Sequence, residues 1–309
     1  MYEILFNLIG KVFLLIILGY CLRKWGVISP DFHNKLNSFL MNVCVPASLM
    51  TSASAPFSKE MSSNLLLVAA ITGGCYLSTL GISWLISRFL KLEKKAKNLF
   101  TSMAVFPNIA YVGFPLAMEL LGAEGSLYNT IANIFYILFF FTIGASFITG
   151  QNMMSLKKLF KIPATVACLI SIVIYFSPFR FPVFVQDTFS SVGGMMAPTA
   201  MILIGSSLAE IPVFSILKDR CAYLVSALRL IVYPFAILFV LMAIPSVPAT
   251  VALHTSLMFS VPTGTMCQIY AHEYDCNPDF AARTLVQGTL LMIVTIPLFM
   301  TCAISLLGL

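Results

Sequence analysis

Long apolar segments follow one another along almost the whole chain, and charged side chains are largely confined to the short stretches between them. Of 309 residues, 59% are hydrophobic and only 10% are charged, whereas a soluble domain carries roughly 25% charged residues. So few charges cannot cover a water-facing surface, which excludes a soluble globular protein. In a bilayer every backbone N–H and C=O must be satisfied within the protein, so only helices and closed barrels can span it.

The apolar segments have the length of membrane-spanning helices. A helix needs roughly 20 residues to cross the hydrocarbon core of a bilayer. Because Glu3 precedes Lys11 and no small-residue cleavage site follows, we interpret the first segment as a spanning helix and not as a signal peptide. The ten predicted spans are residues 2–22, 35–54, 64–89, 98–121, 127–149, 161–179, 186–209, 221–243, 248–272 and 280–307.

Basic residues alternate between the predicted loops. The even-numbered loops carry only Lys59 and Arg180. Since basic loops face the cytoplasm, we predict cytoplasmic odd-numbered loops and both termini outside the cell, in a multi-pass protein of the cell membrane that contacts the lipid bilayer. The net charge of +6 arises mostly from these loops and gives no argument for a nucleic-acid partner. The basic residues of the odd-numbered loops are Arg23, Lys24, Lys35, Arg88, Lys91, Lys94, Lys95, Lys97, Lys157, Lys158, Lys161, Lys218, Arg220 and Arg283.

The ten predicted spans divide into two halves of five that share a pattern of prolines. Pro46 in the second span matches Pro198 in the seventh, and Pro107 in the fourth matches Pro262 in the ninth. Because each half holds an odd number of spans, the second half must enter the membrane inverted relative to the first. Inverted repeats with interrupted helices near the midplane are typical of secondary transporters. The predicted fold is therefore an all-α membrane protein of two inverted five-helix repeats, residues 1–150 and 151–309.

Prolines interrupt spans four and nine, Pro107 within VFPNIAYVGFP and Pro262 within FSVPTGTMCQIY. Proline costs about 3 kcal/mol inside a helix, because it removes a hydrogen bond and clashes with the preceding turn. The N–H groups that such a break frees make an anion site. Asn108 adds an uncharged amide, and Gly113 and Gly264 permit close approach. We predict that the broken segments cross near the membrane centre and hold a substrate. The residues predicted to line this site are Pro107, Asn108, Tyr111, Gly113, Pro262, Thr263, Gly264 and Gln268.

Few ionisable residues lie within the predicted spans, and each is a candidate for function. Lys11 lies near the middle of the first span, where we consider a functional or paired role. Arg229 lies in the first half of the eighth span, where we expect snorkelling or pairing. Either charge would bias a cavity toward anions. The other ionisable residues lie near span ends, where we expect solvated carboxylates and polar histidine anchors. They are Glu119, Glu210, Glu273, His254 and His272.

Three stretches resemble the auxin efflux carriers, that is, the PIN-formed proteins and their bacterial relatives. VFPNIAYVGFP resembles the family's fourth-helix motif, in which Pro-Asn precedes Gly-x-Pro. LNSFLMNVCVPASL, residues 36–49, is similar to its second helix, and HEYDCNPDFAARTLVQGTLLMIVTIP, residues 272–297, to its ninth-to-tenth-helix region. Because the three motifs occur in order at the right spans, the chain is identified as a member of this family.

The resemblance implies a fold and a mechanism. The fold would be ten helices in two inverted repeats with broken crossover helices four and nine, similar to the bile acid symporters. Helices 1, 2, 6 and 7 would form a scaffold, through which two copies pair as a homodimer. Helices 3–5 and 8–10 would form a transport domain that moves as an elevator. Pro107 and Asn108 match the family's first crossover, and Pro262 matches the second.

A secondary transporter of small organic anions is the expected function. One charge crossing 100 mV gains about 2.3 kcal/mol, so an anion leaves a negative-inside cell downhill and export is the expected direction. Dicarboxylates such as malate or malonate, and indole acetate, remain open as substrates that the resemblance suggests.

Two other classes of function exist for a helical membrane protein: a channel or ligand sensor, and an intramembrane enzyme. A channel or ligand sensor on the same fold is the alternative. An enzyme is not expected, because the sequence has no HExxH motif, no paired intramembrane aspartates and no Ser/His/Asp set at one depth. The scattered cysteines, without a CxxC pair, predict neither disulfides nor a metal site, and no cofactor is expected.

Overall fold

The computed structural model describes residues 2–55, 57–151, 153, 160–209 and 219–309. Regular structure in this part of the chain is helical, as the apolar composition requires. Four residues named above lie outside the described part: Lys157, Lys158, Glu210 and Lys218.

The helices follow one another with short connections. The α-helices, numbered in chain order, are α1 (Tyr2–Lys24), α2 (Pro30–Phe39), α3 (Val45–Thr51), α4 (Lys59–Phe89), α5 (Lys94–Val105), α6 (Phe114–Phe139), α7 (Ala145–Thr149), α8 (Pro163–Phe176), α9 (Val183–Gly194), α10 (Met196–Leu208), α11 (Arg220–Ala227), α12 (Tyr233–Met242), α13 (Ala249–Phe259), α14 (Thr265–Glu273) and α15 (Pro278–Leu307). The π-helical turns Leu40–Cys44, Ile109–Gly113, Phe140–Gly144 and Leu228–Val232 lead into α3, α6, α7 and α12.

Several helical stretches have the length and composition of membrane spans, which confirms the prediction of a helical membrane protein. Within the described residues, five stretches are long and apolar enough to cross a membrane: Lys59–Phe89, Ile109–Thr149, Val183–Leu208, Arg220–Met242 and Pro278–Leu307. A kink divides α6 at Gly122, whose φ of 55° lies in the region that glycine tolerates best. The predicted boundary between spans four and five falls at this kink.

Prolines account for the position of three π-helical turns. Pro46, Pro115 and Pro234 each stand two residues beyond the last residue of such a turn. Proline has no N–H for the helical hydrogen bond, and its ring clashes with the carbonyl four residues earlier. A wider π-helical turn just before the proline accommodates this clash, and such turns are frequent at functional sites. The sequence therefore reshapes these helices without ending them.

The chain forms two compact units. The first consists of Met1–Val68, Ala110–Ile134 and Phe160–Ile211, and the second of Ala69–Ile109, Phe135–Leu159 and Pro212–Leu309. In the first unit α1 packs along α10, and α3 packs against α8 and α9. In the second unit α12 packs against α13, and α11 packs against α15. Both breaks predicted at Pro107 and Pro262 fall within the second unit.

Candidate functional site

Two helices of the second unit are interrupted, and their non-helical segments lie side by side. Helix α5 ends at Val105, and α13 ends at Phe259. Pro107 and Thr263 form an isolated antiparallel bridge. The segments 106–108 and 260–264, with this bridge between them, are called the crossover below.

Backbone hydrogen bonds close the crossover. The N–H of Asn108 donates to the carbonyl of Pro262 at 2.8 Å, and the N–H of Gly264 donates to the carbonyl of Phe106 at 2.9 Å. The Thr263 hydroxyl donates to the carbonyl of Met103 at 2.9 Å. The two breaks therefore satisfy part of each other's freed backbone, which a single broken helix in lipid cannot do.

The local sequence explains why the chain is extended at these points. A residue that precedes proline is driven out of the helical region, and Phe106 adopts φ −91° and ψ 112°. Gly264 is required by the close approach of the other segment. A Cβ built on Gly264 would lie 2.8 Å from the carbonyl oxygen of Pro107 and 3.2 Å from the hydroxyl of Tyr136.

Arg229 lies beneath the crossover on the π-helical turn Leu228–Val232 and is fully buried, with 0% exposure. Its Nε donates to the carbonyl of Val261 at 2.9 Å. Its Nη1 donates to the carbonyls of Ala104 and Val105 at 3.2 and 2.9 Å, and its Nη2 to that of Phe259 at 3.4 Å. Of the two expectations for this residue, snorkelling is excluded by its complete burial, and its partners are backbone carbonyls of the broken segments.

Asn108 combines burial with an unpartnered amide. The residue is 6% exposed, and within the described part of the chain no residue forms a hydrogen bond with its side-chain amide group. Nearby, α14 begins at Thr265, and its N-cap residue, Gly264, has no side chain to accept a hydrogen bond from the first N–H groups of the helix. Amide donors next to an uncapped helix N-terminus suit the binding of an anion.

The structure gathers most, but not all, of the residues predicted for the site. Pro107, Asn108, Pro262, Thr263 and Gly264 form the crossover, with Arg229 beneath it. Gln268 lies half-buried on α14 in the same unit. Tyr111 and Gly113 belong to the first unit, where the Tyr111 hydroxyl donates to Oδ1 of Asn37.

Lys11 also lies in the first unit and pairs with a carboxylate. Its Nζ lies 2.8 Å from Oε1 of Glu119. The ion pair explains how α1 accommodates a charge near its middle. Glu119 was expected to be a carboxylate solvated at a span end, but its carboxylate is also paired with Lys11.

His254 corrects another expectation. It was predicted to be a polar anchor at the membrane interface, but it is buried within α13 with 0% exposure. His272 and Glu273 are exposed at the end of α14, as expected for solvated groups.

Sequence reasoning missed two tyrosines of the second unit that accompany the crossover. The hydroxyl of Tyr136 lies next to Gly264. The ring of Tyr76 stands 5.9 Å from that of Phe106 and 5.1 Å from that of Phe259, at the two helix ends. The Tyr76 hydroxyl is buried and finds no hydrogen-bond partner among the described residues. The sequence signal was a tyrosine within an apolar span, and other tyrosines of this chain share it.

Comparison with known proteins agrees with the transporter motifs. The sequence matches the family model described as membrane transport protein over residues 4–153 and 148–300. An uncharacterized transporter of Methanothermobacter thermautotrophicus is 26% identical over 301 residues, which cover 94% of this chain and 95% of that relative. An uncharacterized transporter of Methanocaldococcus jannaschii is 21% identical over 206 residues, which cover 64% of this chain and 67% of that relative. The chain therefore belongs to the membrane transport protein family, the family of the auxin efflux carriers that its motifs resemble.

Proposed function

We propose that the protein is a secondary transporter that carries small organic anions, carboxylates in particular, and binds them at the crossover. One observation carries this proposal: two broken helices pair beside Asn108, a buried residue whose amide has no partner among the described residues. Membership of a membrane transport family supports the transport function. Gln268 and Tyr136 are proposed to line the same site.

The proposed mechanism is alternating access by an elevator movement. In this proposal ten helices form two inverted repeats, residues 1–150 and 151–309. Helices 1, 2, 6 and 7 form the scaffold and the homodimer interface, and helices 3–5 and 8–10 carry the substrate. Both termini lie outside the cell.

Export is the proposed direction, because the membrane potential drives anions outward. A negative-inside potential of 100 mV favours the exit of one negative charge by about 2.3 kcal/mol. Imposing a potential across proteoliposomes that contain the protein is expected to accelerate substrate movement toward the positive side. Transport that ignores the potential and requires Na⁺ would contradict this direction and driving force.

The crossover is tested by replacing Asn108. We expect wild-type proteoliposomes to transport at least one of three radiolabelled probes: malonate, malate or indole acetate. Asn108→Ala is expected to lower the initial rate about tenfold, the loss of one hydrogen bond to a charged group. Because the amide has no partner among the described residues, the variant should keep the wild-type thermal unfolding midpoint.

A matched asparagine serves as the control. Asn42 is exposed and hydrogen-bonds only within its own helix turn, to Ser38, so Asn42→Ala should transport at the wild-type rate. Unchanged transport in Asn108→Ala would remove the crossover from the proposed site. Single-protein currents of thousands of ions per second would instead indicate a channel.

A further inference from the structure

Four helix ends meet at the crossover, and their partial charges nearly cancel. Helices α5 and α13 end at the crossover and α14 begins there, while the helical stretch Ile109–Thr149 begins at the residue that follows Asn108 along the chain. Each C-terminus carries about −0.5 and each N-terminus about +0.5 of an elementary charge. The backbone of the crossover by itself therefore has a net charge close to zero and gives no electrostatic preference for an anion.

Arg229 changes this balance. Its guanidinium donates to carbonyls of both C-terminal ends, those of Ala104 and Val105 on α5 and that of Phe259 on α13. An arginine keeps its proton in proteins, so one full positive charge sits on the negative ends of the two helices. The positive ends of α14 and of the stretch that begins at Ile109 are then left without compensation.

Within the described ranges, no acidic residue of the second unit belongs to the crossover, and the hydrogen bonds of Arg229 all go to backbone carbonyls. Glu93 immediately precedes α5, and the twelve residues that separate it from Val105 span about 18 Å. Asp219 precedes α11 and pairs with Arg283 at 3.3 Å. The remaining acidic residues of this unit, within the described ranges, are Glu273, Asp275 and Asp279, at the end of α14 and the start of α15.

We infer that the crossover carries one net positive charge and is therefore matched to a monovalent anion, with Arg229 as the positioning residue that sets this specificity. The inference rests on the proposed function and names the charge of its substrate. A monoanion neutralises the site. A neutral molecule leaves the positive charge uncompensated, and a dianion leaves one negative charge in a low-dielectric region, where an unpaired ion is costly.

The shape of the arginine side chain is part of the inference. A planar fork reaches carbonyls on two helices at once, whereas a lysine ammonium is a point charge on a flexible stem. Arg229→Lys should therefore keep the charge preference but hold the two helix ends less firmly. Arg229→Met should lose both.

Three small probes of different charge test the preference for a monovalent anion. Acetate is a monoanion, acetamide is its neutral isostere, and malonate is mostly a dianion near neutral pH. Binding of each probe to the purified full-length protein is measured by ligand-observed NMR. We expect the wild type to bind acetate about tenfold more tightly than either acetamide or malonate, the effect of one charge pair in a partly desolvated site. Equal binding of the three probes, a preference for malonate, or no binding of acetate would overturn the inference.

Variants then assign the preference to Arg229. Arg229→Met should abolish the preference for acetate over acetamide, and Arg229→Lys should retain it. If Arg229→Met does not fold, Arg229→Lys compared with the wild type decides alone, because loss of the preference in that charged variant overturns the inference. Arg180→Met is the matched control: Arg180 also donates to carbonyls at a helix end, that of Ile174 in the last turn of α8 and those of Ser177 and Phe179 beyond it, but it is exposed and lies in the first unit. It should keep the wild-type preference.

The two proposals fail in different ways. If Asn108→Ala transports normally, the crossover is not the transport site; a preference for acetate that Arg229→Met abolishes would then still identify a monoanion site at the crossover. If Asn108→Ala transports about tenfold more slowly while the wild type binds the three probes equally, the crossover remains the transport site and the monoanion assignment is wrong.

Discussion

Lys11 and Arg229 are basic residues within apolar helices, one in each unit, and their surroundings differ completely. The Lys11 side chain is 54% exposed, and its partner is the Glu119 carboxylate, itself 40% exposed. Arg229 is fully buried, and its partners are backbone carbonyls of two broken helices. The first arrangement is charge-neutral, and the second keeps its positive charge.

This difference separates a structural charge from a candidate functional one. A half-exposed ion pair contributes little to stability, roughly 0–1 kcal/mol, and adds no net charge to its surroundings. A guanidinium whose partners are carbonyls holds the backbone in place, and its positive charge, which no carboxylate neutralises, can also attract an anion. Proximity of a charge to the membrane centre is therefore a weaker guide than the identity of its partners.

Replacing the two residues by methionine should produce the largest contrast. Arg229→Met leaves buried carbonyls at both helix ends unpaired, so we expect a loss of about 3–5 kcal/mol in the free energy of unfolding. Lys11→Met should cost less than about 1 kcal/mol. Unfolding in detergent by sodium dodecyl sulfate, followed by tryptophan fluorescence, measures both. Equal losses would erase the distinction between the two sites.

The sequence predicted the backbone breaks better than the side-chain partners. Pro107 and Pro262 act through local chemistry, a missing N–H and a ring clash, which are evident from single residues. The partners of Arg229 are carbonyls 30 to 125 positions away along the chain, and they become available only because both helices break. The family was predicted correctly from three motifs, and the match of the family model confirms it.

Burial was the harder quantity to predict. His254 was assigned to an interface from its position along the span, but lateral packing within the second unit buries it completely. Gly264 was predicted to allow close approach, yet the group that approaches, the carbonyl of Pro107, is not evident in the sequence. Position along a helix gives depth, whereas burial depends on neighbours that only the fold supplies.

A methyl group at Gly264 tests the crossover without removing Arg229. Its Cβ would meet the Pro107 carbonyl oxygen at 2.8 Å, and this backbone atom cannot rotate away. We expect Gly264→Ala to cost about 1–3 kcal/mol of unfolding free energy and to reduce transport. Gly74→Ala is the control in the same unit, because nothing lies within 4 Å of its Cβ, and it should be neutral or stabilising by up to about 1 kcal/mol. A neutral Gly264→Ala would mean that the two segments are not held together as described.

A double-mutant cycle on Lys11 and Glu119 measures how much their ion pair contributes to the stability of the first unit. Lys11→Met, Glu119→Gln and the double variant should give a coupling energy of roughly 0.2–1 kcal/mol, as for other partly exposed ion pairs. The double variant should keep the wild-type preference for acetate over acetamide, since the pair is neutral as a whole. A lost preference would place the selecting charge in the first unit.

The smallest expected effect concerns His33, which lies in the first loop outside the predicted spans and belongs to the first unit. Burial, and secondarily the nearby Arg23, lower the pKa of His33 below its ordinary value of 6.5, and its Nδ1 lies 3.0 Å from the Ser206 hydroxyl. The unfolded chain therefore binds a proton more readily than the folded protein as the pH falls through 6.5. Stability from this residue is fully present above 6.5 and decreases below that value until the folded state is also protonated. The thermal unfolding midpoint should thus decrease on acidification, and His33→Gln should flatten this dependence. An unchanged slope in His33→Gln would assign the acid sensitivity to other titratable groups.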